Sequence, residues 1–217
     1  MDYYELARGP LVWAAFICCI GGIVFRLAIM LAGPKKLNRM HPQKSVVGGA
    51  KSTVRGMLPF ALHYMREHPV FTLITFVFHL CVLVTPAFLL AHIVLFYESW
   101  KIQWSSLPDG LADVMSFIAI AGVLFFAGRR LISKEVKWLS GISDWVLLVV
   151  VTGVFISGIA AGHHWGPYRP LLIAHVFLGE MLLVMIPFSK LFHMVLFFFT
   201  RGYLGAEYEI VLDGKGL

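Results

Sequence analysis

Long apolar runs alternate with short polar stretches along this chain. A helix crossing a hydrocarbon core of about 30 Å needs roughly 17–25 mostly apolar residues. Five runs meet that length, at residues 10–31, 70–96, 111–127, 142–161 and 170–200. None alternates apolar and polar with a period of two, as the strands of a membrane barrel do, so each reads as a helix. The pattern predicts an all-α fold: a polytopic membrane protein whose residues 1–217 form a single integral membrane domain, a five-transmembrane-helix bundle. The first run is not read as a cleaved leader, because it is long, begins near Asp2 and Glu5, and has no small-x-small site before a polar region. The largest polar segment, residues 32–69, holds Gly48, Gly49 and prolines at 34, 42, 59 and 69. Its second half, residues 56–66, is expected to form a short interfacial helix. Asp144 is read as the N-cap of the fourth helix.

Basic residues orient such a chain, because cytoplasmic loops are enriched in Lys and Arg. Residues 32–69 carry seven (Lys35, Lys36, Arg39, Lys44, Lys51, Arg55, Arg66) and residues 128–141 carry four (Arg129, Arg130, Lys134, Lys137). Lys190, Arg201 and Lys215 fall on the same side, which totals 14 against the three of the opposite side, Arg8, Lys101 and Arg169. The expected orientation has the N-terminus outside, a basic cytoplasmic loop at 32–69 and a cytoplasmic tail at 201–217, in a multi-pass protein of the inner (cytoplasmic) membrane.

Composition narrows the function classes. Of 217 residues, 59% are hydrophobic and 14% charged, against roughly 45–50% and 25% in soluble domains. So much apolar surface excludes disorder. Three cysteines exclude a disulfide scaffold. The net charge of +6 lies between apolar runs rather than along a soluble face, which argues against a nucleic-acid partner. No loop is large enough for a nucleotide-binding domain, and no internal repeat suggests a transporter built on inverted halves.

Nine histidines are the unusual feature of this composition. Four lie in predicted spans: His79 and His92 in the second, His175 and His193 in the fifth. An ionisable side chain in hydrocarbon is a functional candidate by default; the bland reading is a ring bonded to a helix carbonyl. Counting residues from the span ends places His92 and His175 at about 6–8 Å from the outer surface, and His79 and His193 at about 10–14 Å from the inner one. Two imidazole pairs facing across a bundle suit bis-histidine ligation of two b-type haems, and no CxxCH motif provides for covalent attachment. His175 and His193 are 18 residues apart, about five turns, so both are expected on one face of one helix. His79 and His92 are 13 apart, about 140° off a common face, and Pro86 between them is expected to kink the helix and turn both rings inward. His68, nearly co-facial with His79, is the rival to His92. Cys18, Cys19 and Cys81 read as small hydrophobes and fall short of the four thiolates that an iron–sulfur cluster takes.

At these residues the chain resembles the gamma subunit of respiratory nitrate reductase, a five-helix di-haem cytochrome b. The most specific match is IPFSKLFH at 186–193, supported by the 18-residue spacing of His175 and His193 and by Phe78-His79 early in the second span. The stretch HLCVLVTPAFLLAH at 79–92 is longer than the corresponding gap in nitrate reductase members. It looks more like the cytochrome b subunits of transmembrane redox complexes in sulfate-reducing microbes. The resemblance implies an electron-transfer subunit working between the quinone pool, of menaquinone type, and a cytoplasmic iron–sulfur subunit. A periplasmic multihaem cytochrome c and other membrane subunits are further implied partners. No catalytic residue for a soluble substrate is assigned to this chain.

Secondary candidates keep two readings each. Arg26, near the inner end of the first span, either meets a haem propionate or snorkels to lipid headgroups. Glycines 21, 22, 153 and 158 either make room for porphyrin or let helices approach. The loop HHWGPYRP at 163–170 places His163, His164, Tyr168 and Arg169 as a wall of a quinone pocket or as an interfacial aromatic belt. The alternative functions are a haem-free proton-coupled transporter and a membrane anchor subunit whose intramembrane histidines only pack.

Overall fold

A computed structural model describes residues 3–32 and 45–212, with side chains through residue 206. The expectations for Lys35, Lys36, Arg39, Lys44 and Lys215 lie outside the described residues. Among the described residues there is no strand. In chain order the helices are α1 (Tyr3–Ala32), α2 (Val46–Met57), α3 (His63–Glu67), α4 (Pro69–Phe88), α5 (Leu90–Trp100), α6 (Asp109–Ile132), α7 (Lys134–Trp138), α8 (Ile142–Gly162), α9 (Tyr168–Phe188) and, after a 3₁₀ turn at Lys190–Phe192, α10 (His193–Leu212).

Five of these, α1, α4, α6, α8 and α9, are long and apolar enough to cross a bilayer. Their outward faces are apolar as well: Ile17, Val24, Phe25, Val149 and Phe177 each expose more than half of their surface, the inverse of a soluble protein. The chain is an all-helical, multi-pass membrane protein.

The boundaries depart from the apolar runs in instructive places. Helix α1 begins at Tyr3 and passes through a π-turn at Ala7–Leu11, which accommodates Pro10. Helix α6 runs to Ile132, so Arg129 and Arg130 sit in its last turn, where they complement the carbonyl end of the helix. The second and fifth runs are each interrupted. Leu89 is extended between α4 and α5 (φ −71°, ψ 129°), and Ser189 is extended between α9 and the 3₁₀ turn (φ −121°, ψ −173°). Each break comes two or three residues after a proline, Pro86 or Pro187, that the preceding helix itself accommodates.

The chain divides into two compact units, one of Met1–Val12 with Leu73–Leu182, the other of Trp13–Thr72 with Leu183–Leu217. In the first, α6 packs on α8, and Cys81, Met115 and Ala119 form the most buried cluster, flanked by Val77, Val82 and Phe155. The break after Pro86 frees three successive carbonyls, and three donors take them. His92 bonds to the carbonyl of Pro86 (2.7 Å), the Trp104 indole donates to Ala87 (2.9 Å), and the Leu107 amide donates to Phe88 (2.9 Å). An irregular backbone at membrane depth persists only when its polar groups are satisfied this way. Trp104→Phe should therefore lower stability by about 1 kcal/mol, read as a lower thermal midpoint in detergent with helix content unchanged below the transition.

Asp144 is not the N-cap of α8. Gly141 occupies that position, and Asp144, three residues on, accepts from the Gly141 amide (2.9 Å) with Arg130 at 3.9 Å. At 2% exposure, the carboxylate closes the helix start from within. Beside it in the chain, the Ser133 hydroxyl donates to Glu135 (2.7 Å) and holds that exposed carboxyl below its ordinary range.

In the second unit, α2 lies along α10. Of the segment expected to be helical at 56–66, the end forms the short α3, while a longer helix runs earlier, from Val46 to Met57, with Ser45 as N-cap accepting from the Gly48 amide (3.0 Å). Leu58 is extended and Phe60 is left-handed (φ 62°), which ends it. Gly48 and Gly49 are poor helix formers, but both are buried, and a Cβ on Gly49 would lie 2.6 Å from the carbonyl oxygen of Gly202. Backbone approach, not propensity, sets the location of this helix.

Candidate functional site

His92 and His175 face each other in the first unit. Their ring centroids are 6.0 Å apart and their planes differ by 14°. His92 is the third residue of α5 and follows directly from the break at Leu89. A continuous helix from His79 would turn the two rings about 140° apart; the interruption resets the direction and brings His92 to His175. Of the two alternatives left open by the sequence, His92 is the one that faces His175. The His68 ring stands edge-on against Tyr64, at 4.8 Å and 62°, in the other unit.

The ring nitrogens are sorted. His92 Nδ1 donates to the carbonyl of Pro86 (2.7 Å) and His175 Nδ1 to that of Val154 (3.0 Å), with the Ser157 hydroxyl at 3.1 Å. A ring that donates from Nδ1 carries its lone pair on Nε2, the usual arrangement of a metal-ligating histidine with its supporting carbonyl. A two-imidazole iron with bonds of about 2 Å, and ring centroids about 1.1 Å behind each nitrogen, would separate the centroids by about 6 Å. The observed pair matches that spacing. Gly158 on α8 makes the placement feasible, since a Cβ there would stand 3.0 Å from the His175 ring.

His79 and His193 share the same preparation. His79 Nδ1 donates to the Thr75 carbonyl one turn back (2.7 Å), and His193 Nδ1 to the Lys190 carbonyl (2.8 Å). The Phe78 ring stands edge-on to His79 at 5.5 Å. His193, however, does not share a helix with His175. The segment Ser189–Phe192 breaks the run, and His193 opens α10. The 18-residue spacing is therefore not five turns of one helix, and the depth and facing read from it do not hold. Among the described residues, no three His, Cys, Asp or Glu side chains gather as a metal cage.

Arg26 serves the second break. Its Nη1 donates to the Pro187 carbonyl (2.7 Å), and its guanidinium lies 4.2 Å above the centre of the Phe192 ring. Like His92 at the first break, it satisfies a carbonyl that the interrupted helix leaves free. Gly22 lies on the same side of α1, where a Cβ would be 2.7 Å from the Pro187 ring.

The loop after α8 is organised by its aromatic rings. His163 Nε2 lies 2.9 Å from the Asp113 carboxylate, and its ring stacks on Trp165 (5.9 Å, 25°). His164 is left-handed (φ 55°) and lies 5.0 Å from the Tyr168 ring. Arg169 is exposed in the first turn of α9. Arg8 and Glu98 pair in the same unit.

Two carboxylates escape the sequence argument. Asp113, 50 residues from His163, has no local motif that announces the pairing. Glu180 is the one carboxylate inside the fifth span and is buried at 8% exposure. A scan for charged residues within spans would have found it, because a run dominated by Leu, Val and Met hides one acid in its average hydropathy.

No family model and no solved structure matches the chain. Over 105 residues, 43% of this chain and 39% of the relative, it is 30% identical to one of the subunits of a dihydromethanophenazine:CoB–CoM heterodisulfide reductase from Methanosarcina thermophila strain TM-1. Over 216 residues it is 35% identical to a protein of Nitratidesulfovibrio vulgaris strain Hildenborough, covering 97% of this chain and 96% of the relative. At that identity and coverage, the chain belongs to one family with the Nitratidesulfovibrio vulgaris protein.

Proposed function

We propose that the chain is a b-type cytochrome subunit of a membrane redox complex, carrying electrons between the quinone pool and a cytoplasmic iron–sulfur subunit. The observation that carries this reading is the His92–His175 pair, with 6.0 Å between centroids, nearly parallel planes and both Nδ1 atoms committed to carbonyls. The partial likeness to a heterodisulfide reductase component supports the membrane-complex part.

Haem b, when bound, supplies one-electron redox chemistry. The chain's own contributions are ligation, orientation and burial. His92 and His175 would hold one haem, and the carbonyls of Pro86 and Val154 fix their tautomers and raise their basicity. His79 and His193 are each proposed as a haem ligand on their sequence match and their Nδ1 donation. Arg26 uses one Nη on Pro187 and has further donors for a propionate. His163 with Asp113, and His164 with Tyr168, are proposed to line a menaquinone-type site, where the imidazole–carboxylate pair accepts a quinol proton. The N-terminus is placed outside the cytoplasmic membrane. A periplasmic multihaem cytochrome c and other membrane subunits complete the proposed assembly.

The test is optical. Purified protein from iron-replete cells should give a reduced-minus-oxidised b-type band and two haems per chain by pyridine haemochromogen. Absence of haem would overturn the proposal and return the chain to the transporter or anchor reading.

A further inference from the structure

Glu180 is a carboxylic acid in the middle of a membrane-spanning helix, with no hydrogen-bond partner for its Oε1 among the described residues. It lies twelve residues into α9 and eight from its end, about 18 Å and 12 Å along the axis. It is 8% exposed, and its Oε1 is fully buried without a hydrogen bond among the described residues. Other titratable groups of the same unit are engaged elsewhere. On α9, His175 is bonded to Val154. On α8, Asp144 is held by Gly141 and Arg130, and at the end of that helix His163 meets Asp113. On α4, His79 is bonded to Thr75, and on α5, His92 is bonded to Pro86. Cys81, on α4, is packed against Met115 and Ala119.

A second observation accompanies it. Thr75 and Thr85, in the same unit, also have buried hydroxyls without a hydrogen-bond partner. Buried polar atoms left this way are sites for ordered water. An ionised carboxylate with no counter-charge is too costly in such a setting, so its charge must be matched by a proton or by a change in charge nearby. Adding an electron at the His92–His175 site places negative charge in the same low-dielectric interior, five residues along α9 from Glu180.

We propose that Glu180 is the redox-linked proton site of this subunit. The inference rests on the haem reading above. The balance is one electron and one proton: a quinol-class reductant delivers an electron that takes the iron at His92–His175 from ferric to ferrous, and one proton from water binds a Glu180 carboxylate oxygen to give the neutral acid. Oxidation of the iron returns the proton to water. Glu180 is here a positioning and charge-balancing residue and makes no contact with the reductant.

The experiment compares the native protein with Glu180→Gln in the full complex. Haem content is read first, and two haems per chain are expected in both. Redox titrations at pH 6 to 8 should show the midpoint of one haem falling as pH rises in the native protein, by up to about 59 mV per unit, the one-electron equivalent of a tenfold change. In Glu180→Gln the dependence should be lost. An infrared reduced-minus-oxidised difference spectrum of the native protein should gain a protonated-carboxyl band on reduction, a readout that needs no variant to fold. Two haems with an unchanged pH slope, or a native spectrum without that band, would overturn the proposal. Absence of haem from the native protein would instead overturn the reading beneath it.

Discussion

His175→Ala should halve the haem content, leaving one b-type haem per chain in place of the two proposed for the native protein. The geometry explains the size of the effect. His175 projects from α9 toward α8, where the Val154 carbonyl and the Ser157 hydroxyl hold its Nδ1 and the absent Cβ of Gly158 leaves room for the ring. Alanine offers no ligand, and its lost ring leaves His92 facing nothing across a gap of two bond lengths. A haem with one protein ligand and an open side is held far less tightly than one clamped between two. His92→Ala should give the same loss. His193→Ala should remove the other haem and leave the His92–His175 one in place. Pyridine haemochromogen and the reduced-minus-oxidised spectrum of each purified variant provide the readout. Retention of both haems in His175→Ala would show that the facing pair is a packing feature and not a ligand pair.

Gly49→Val should separate α2 from α10, at a cost near the upper end of about 1–3 kcal/mol for overpacking. A Cβ on Gly49 meets a backbone carbonyl oxygen, that of Gly202, at 2.6 Å. Backbone cannot rotate aside as a side chain does, so the two helices must part. Gly21→Ala is the matched control. Nothing lies within 4 Å of a Cβ at Gly21, and alanine is the better helix former by about 1 kcal/mol, so stability should hold or rise. Thermal unfolding in detergent and limited proteolysis at residues 45–58 measure both. Equal behaviour of the two variants would mean that α2 is not anchored through this approach.

The candidate histidines were legible because imidazole is rare in hydrocarbon and four of them stand in two apolar runs. The pairing of His92 with His175 followed from counting residues to the outer ends of those runs, a count that survives a helix break nearby. The co-facial reading of His175 and His193 did not survive, because periodicity carries angle only along an unbroken helix. Pro187 was visible in the sequence, but the break after it, an extended Ser189 and a 3₁₀ turn, depends on Arg26 taking the free carbonyl from 161 residues away. The same holds at Pro86, where Trp104 and Leu107 return from a later loop to the broken end.

Sequence alone determined that this chain is helical and crosses a membrane, since both follow from the length and continuity of apolar runs, which are local properties. It also singled out the four histidines that stand in those runs. Only the tertiary structure decided where the second and fifth runs break, that α2 forms over Gly48 and Gly49, that Asp113 meets His163, and that the Glu180 Oε1 has no hydrogen-bond partner among the described residues. Each of these depends on groups far apart in sequence satisfying, or failing to satisfy, a buried polar atom, and no local pattern records that.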